Sequence, residues 1–205
     1  MMGKIKLAFY SIIHPFAGFE EIKWHKKGSI LCATIFLLFY YLSSIVEFQF
    51  TGFLFTTNKP EDLNILLLAV SNLIPFVLFS VSNWAVCTLF DGEGRFAEIY
   101  VAVGYALVRY TVVRFLTTLL SNFVIRDEYA FVSMLSTVGL IWSLAIGFIG
   151  LNTVHQYTFK KTFLSVLASL LGVFIILFLC VLAGSLWNQV YSFIMSIYTE
   201  ITFRT

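Results

Sequence analysis

The sequence predicts an all-α membrane protein: a bundle of five transmembrane helices with a short amphipathic segment ahead of it. Three observations carry that prediction. Only 12% of the 205 residues are charged and 60% are hydrophobic, with a mean hydropathy of +0.91. A soluble domain carries about 25% charged residues to coat its surface, so half that share leaves much of this surface for lipid. Five apolar runs reach the ~20 residues a helix needs to cross a bilayer, and the links between them are short enough to make successive helices antiparallel neighbours in one domain.

Residues 1–27 hold Lys4, Lys6, Lys23, Lys26 and Lys27 against Glu20 and Glu21. The apolar stretch after Lys6 is too short for a signal peptide, and it runs into His14, Pro15 and FEEIKWHKK without a small-residue cleavage pattern. Leu7, Phe9, Ile12 and Ile13, then Phe16, Phe19, Ile22 and Trp24, fit one or two amphipathic helices lying at the membrane surface, with Pro15 opening the second and Trp24 at headgroup level. A disordered tail is the alternative. The spans follow at 29–50, 64–90, 97–121, 131–152 and 162–186, so the bundle occupies 28–186. Residues 187–205 are aromatic and mildly amphipathic, but polar near Asn188, Gln189 and Glu200; they read as a tail along the far interface, or as a bent continuation of the fifth span.

Orientation follows from the basic residues. With the N-terminus inside, the inner segments hold Lys4, Lys6, Lys23, Lys26, Lys27, Arg95, Lys160 and Lys161, and the outer ones Lys59, Arg126 and Arg204, eight against three. The positive-inside rule puts the N-terminus in the cytoplasm and the C-terminus outside. These cations are dispersed between apolar runs, which excludes a nucleic-acid surface. Cys32, Cys87 and Cys180 all lie within apolar runs and read as small packing residues, with palmitoylation of Cys32 or Cys87 as the alternative.

The third span organises the rest, because it carries Arg109 and Arg114 at membrane depth, where charge must face other helices or water. Counting about 1.5 Å per residue brings Arg114 level with Glu47 on the first span and Asn72 on the second, so an Arg114–Glu47 pair with Asn72 beside it is expected. Arg109 falls near mid-membrane with no acid at matching depth and needs hydroxyls, carbonyls freed near Pro75, or water. Either these groups are polar glue that fixes helix register, or they line a hydrated path for an anionic or lipidic substrate. Gly139, Ser143 and Gly147 form a small-residue stripe on the fourth span, and Ala168 and Gly172 a shorter one on the fifth, so these two helices are expected to pack together, with a homodimer face as the alternative. In the inner loop Asp91, Glu93, Arg95 and Glu98 match no EF-hand; the glycines between them suit a tight turn and the acids a cap on the third helix. His14, His25 and His155 are scattered without ligands at metal spacing, and no nucleophile-elbow, Walker, dinucleotide or zincin pattern occurs. No catalytic residue, metal or cofactor is expected.

His14-Pro15-Phe16 with Gly18-Phe19-Glu20, the loop Asp91 to Phe96, Val103-Gly104-Tyr105-Ala106-Leu107-Val108, and His155 to Thr162 together resemble the Yip (Ypt-interacting protein) family, whose members have a Yip1 domain. The resemblance implies five spans and a cytoplasmic N-terminus, with Gly104 and Tyr105 as the motif residues. It also shows a departure: the family pattern continues Gly-Tyr-x-Leu-x-Pro, and Arg109 stands at the proline. Eukaryotic members look like trafficking adaptors that engage Rab GTPases and coats through a long N-terminal region; the short N-terminal segment here is closer to the compact prokaryotic members. The expectation is a non-enzymatic scaffold, adaptor or accessory subunit in a bacterial plasma membrane. Its partners would be the lipid bilayer and another membrane protein, a transporter among the candidates, or a second copy. A transport or permeation subunit is the alternative.

Overall fold

The computed structural model describes residues 10, 14–25, 28–56 and 62–204. The lysines at 4, 6, 26, 27 and 59, and the first of the two short amphipathic helices except Tyr10, lie outside the described residues. The remainder forms α1 (Pro15–Trp24), α2 (Ile30–Phe50), α3 (Ile65–Leu89), α4 (Phe96–Leu120), α5 (Tyr129–His155) and α6 (Phe159–Arg204), with a 3-10 turn at Arg126–Glu128 and no strand among the described residues. Helices α2 to α6 are each long and apolar enough to cross a membrane.

Local signals set the boundaries. Asn64 caps α3 by accepting a hydrogen bond from Leu67 N at 3.0 Å, and Glu98 reaches back to accept from Arg95 N at 3.2 Å, opening α4. Gln156, left-handed at φ 55°, ends α5. Helix α4 is the central post. Half of its most apolar stretch is buried, against 6% for α6, and it packs between α2 and α5. Small residues permit the approach: a Cβ on Gly104 would lie 3.0 Å from that of Ala33, which is itself fully buried.

Two packing arrangements differ from the sequence reading. The stripe on α5 meets α4, not α6. A Cβ on Gly139 would lie 2.6 Å from Val113 Cγ1, Ser143 Oγ donates to Ala106 O at 2.8 Å, and Gly147 faces Ala106. Gly172 of α6 instead lies against Ser82 and Val86 of α3, because α6 leaves α5 soon after the 156–158 turn and runs up the opposite side of the bundle. The amphipathic segment also does more than lie on a surface. Phe19 is fully buried over Gly150 and Ile22 packs on Val101, so α1 is wedged into one end of the bundle, in contact with α5 and α4.

Residues 187–204 do not form a separate tail. Helix α6 runs 46 residues without interruption through position 186 to Arg204, about 69 Å at 1.5 Å per residue. No proline interrupts it and Gly184 is isolated. Asn188 and Gln189 lower its hydropathy, but a helix whose backbone bonds are internal does not end where apolarity ends. Of the cysteines, Cys32 and Cys87 are buried packing residues, whereas Cys180 is exposed on the unpartnered part of α6.

Candidate functional site

Polar side chains cluster at both ends of the bundle. At the end away from α1, Arg114 projects from α4 between α2 and α3. Its Nε lies 2.6 Å from Glu47 Oε2, and its Nη1 donates to Ser44 Oγ. Ser44 in turn donates to Asn72 Oδ1 at 2.7 Å, and Asn72 Nδ2 donates to Leu68 O of its own helix at 2.7 Å, which fixes the amide orientation. The guanidinium carbon sits 5.1 Å from the Tyr40 ring centre and 5.2 Å from that of Tyr110, so aromatic faces add to the carboxylate in balancing the charge. The structure therefore brings Arg114, Glu47 and Asn72 together, joined by Ser44 as a bridge.

Glu47 is the more accessible partner, its side chain 43% exposed against 15% for Arg114. It stands between two clefts. One of about 550 Å³ is lined by Tyr40, Ser44, Asn72 and Arg114; the other, of about 190 Å³, by Tyr110, Thr117, Thr118 and Thr137. The loops at this end are tied together. Ser121 Oγ accepts from Gly52 N at 2.9 Å, Asn122 Nδ2 donates to Phe50 O at 2.8 Å, and Phe55 stacks on Tyr129 at 4.3 Å. Arg109 lies one to two turns deeper on α4 and is buried, 8% exposed. Tyr105 is buried with its ring edge-on to Phe36, 5.3 Å away.

The other end is closed over the 91–95 loop, with a cleft of about 190 Å³ beside it lined by Ile22, Gly28, Arg95 and Val101. Lys23 of α1 reaches over the 91–95 loop, 3.5 Å from Glu98 and 3.9 Å from Glu93, and donates to Glu93 O at 3.1 Å. Glu98 thus caps α4 and holds Lys23 at once, whereas Asp91 and Arg95 supply backbone geometry. The loop's left-handed residue is Asp91, φ 53°, and not a glycine. Gly92 and Gly94 are needed for space: a Cβ on Gly92 would come within 2.6 Å of Tyr157 Oη, and one on Gly94 within 2.7 Å of His155 Nδ1.

Beneath the loop lies a network that sequence reading missed. Ser169 Oγ donates to Ser165 O at 2.7 Å, so it accepts from Asn83 Nδ2 at 3.0 Å. That turns Asn83 Oδ1 toward His155 Nε2, 3.0 Å away, which must carry the proton. Ser82 donates to Ser169 O at 2.6 Å, and Cys87 Sγ lies 3.0 Å from Ser165 Oγ. Tyr157 donates to Phe90 O at 2.9 Å, stacks on His155 and lies under Lys161. Burial, and then the neighbouring Cys87, push its phenol well above the usual tyrosine range, so it stays a donor. The signal for this network was present in Ser82, Asn83 and Val86 on one helix facing Ser165, Ser169 and Gly172 on another, at helical spacing. Among the described residues no three His, Cys, Asp or Glu side chains come together as metal ligands.

The family model for the Yip1 domain matches residues 9–182. The chain belongs to the Yip1 family. The match runs from just ahead of α1 through four spans and into α6, ending at 182, and takes in both clusters. Comparison with curated proteins and with solved structures returns no significant match. At the position where the family motif has proline, Arg109 keeps its backbone N–H, and α4 is unbroken through it. The helix-interior proline here is Pro75, in α3.

Proposed function

We propose that this Yip1-family protein is a non-catalytic membrane scaffold or adaptor, with the bundle as a braced platform and α6 as the arm that engages a partner. The observation that carries this reading is the condition of α6: every residue from Leu177 to Thr199 is exposed, so this stretch packs on no other described helix. The interior points the same way, since the Arg114 charge is already met by Glu47, Ser44 and two rings. On the positive-inside count the closed end faces the cytoplasm of a plasma membrane and α6 projects outward. The test is a chain stopped after Leu186. It should fold and insert like the full chain yet lose any complex recovered from native membranes; retention of that complex would refute the arm's role. Reporter fusions at 205 and in the 91–95 loop test the orientation.

A transport or permeation role for an anionic or lipidic substrate draws support from a different feature, the two clefts beside Glu47. It requires substrate flux in liposomes that disappears in Arg114→Met while the protein stays folded.

A further inference from the structure

Helix α6 is too long for the layer it crosses. A hydrocarbon core of about 30 Å takes roughly 20 residues of upright helix, and about 26 at a 40° tilt. Counted from Lys161, that leaves the helix from about Trp187 onward outside the core. The projecting part is strongly sided. Asn188, Gln189, Ser192, Ser196, Thr199 and Glu200 share one flank, and the opposite flank is apolar.

The apolar flank continues an interface that is already used. At the base of α6, Ser165, Ser169 and Gly172 lie in one row against Cys87, Asn83 and Ser82 of α3. Steps of three and four along the helix extend this row through Ile176, Cys180, Ala183, Trp187, Tyr191, Ile194, Tyr198 and Ile201, all within about a quarter to a third of a turn. From Cys180 to Tyr198 the row is exposed and packs on no other described helix: Trp187 is 75% exposed, Tyr191 57% and Tyr198 64%. Alternating three and four is the spacing of a helix-pairing seam, with small residues at Cys180 and Ala183 where close approach begins.

We infer that the row from Cys180 to Tyr198 is a self-association seam that pairs in parallel with the same row of a second copy of this chain. This rests on the reading of α6 as the arm of a scaffold. The occupant is a second copy because two chains inserted the same way are automatically parallel, and a two-fold axis along the membrane normal then sets every seam residue against itself. That arrangement penalises any charge in the seam, and from Ile176 to Tyr198 it has none. Aromatic side chains carry about 150–250 Å² each, so at these exposures the two rows together offer on the order of 1,000 Å², the low end of specific interfaces.

The chain carries its own probe. Cys180 is its exposed cysteine, and the other two are buried. In native membranes holding the full chain, copper–phenanthroline oxidation should give a band at twice the 23.3 kDa chain mass, lost in Cys180→Ala. In the Cys180→Ala background, Tyr191→Cys and Ile194→Cys should restore the doubled band, while Ser192→Cys and Ser196→Cys give at least tenfold less. Failure of every seam cysteine to cross-link, or equal cross-linking from both flanks, overturns the seam. A Cys180-dependent band at another mass overturns the second copy but leaves the scaffold reading standing. Loss of native complexes from the chain stopped after Leu186, with no seam cross-link, does the same.

Discussion

Breaking the ion pair between α4 and α2 from either side should be unequal, and the inequality can be estimated from exposure. Glu47→Gln leaves the Arg114 guanidinium charged between Tyr40 and Tyr110, its side chain only 15% exposed. Stranding one member of a fully buried pair costs about 3–5 kcal/mol. Because the Glu47 side is 43% exposed and solvent screens it, about 2 kcal/mol is the appropriate figure here, roughly a thirtyfold change in the unfolding constant. Arg114→Met removes the charge and both ring contacts but leaves a carboxylate that can turn toward water, so about 1 kcal/mol is expected. The double variant should cost less than the two singles combined, with a coupling of about 1 kcal/mol. Reversible unfolding in mixed micelles with rising SDS, followed by helical circular dichroism, measures all four corners of the cycle. Additivity to within about 0.3 kcal/mol would show that the 2.6 Å contact couples nothing, and the account of Arg114 as an internally neutralised brace would be wrong.

Three further outcomes follow from the packing. Gly139→Ala should destabilise by about 1–3 kcal/mol, since its Cβ would meet Val113 at 2.6 Å, while Gly147→Ala, 3.5 Å from Ala106, should cost under about 1 kcal/mol; thermal melting in detergent separates them, and equal effects would refute the α4–α5 contact. In the closed-end loop, Gly92→Ala should lower the melting temperature because Tyr157 and His155 occupy the space, whereas Asp91→Gly should leave it unchanged or raise it by relieving a left-handed residue. Tyr157 has a folded pKa above its unfolded value near 10, so its contribution is complete below about pH 10 and is lost as pH rises further; Tyr157→Phe should be less stable at neutral pH yet show a shallower alkaline decline of the melting temperature.

What the sequence made legible and what it left dark divide along a physical line. Span existence is a bulk property of hydropathy, and α2, α3 and α4 begin and end within a residue or so of the apolar runs. The Arg114 cluster was legible because an intramembrane charge has few places to go and depth counting narrows them further. Which helix faces which was not. The stripe Gly139, Ser143, Gly147 announces a close approach without naming the neighbour, and the partner depends on where α6 goes after the Gln156 turn. The length of α6 was hidden because hydropathy reports the solvent around a helix, and its backbone hydrogen bonds do not need lipid. His155 looked isolated because Asn83 and Ser169, which pair with it, are remote in sequence and individually unremarkable.

The two ends of the bundle are built for different mechanical behaviour. At the α1 end, Phe19 fills the notch at Gly150, Lys23 holds down the loop through Glu93 and Glu98, and the glycines leave no space over His155 and Tyr157. Movement there must break several contacts at once. At the Glu47 end, Arg114 joins α4 to Glu47 and Ser44 of α2, the 51–56 loop is tied to Ser121, Asn122 and Tyr129, and α3 is held by Ser44–Asn72 and Tyr41–Ile65, with clefts on either side of Glu47. Helix α3 also contains Pro75, which removes one backbone hydrogen bond between this end and the rigid one. Relative motion at this end is therefore cheapest for α3, which packs on α2 and α4 much less closely than these two pack on each other. An event on the α6 arm would reach the bundle first through α3, where Ser165, Ser169 and Gly172 meet Cys87, Asn83 and Ser82, and from there the Arg114 cluster through Asn72.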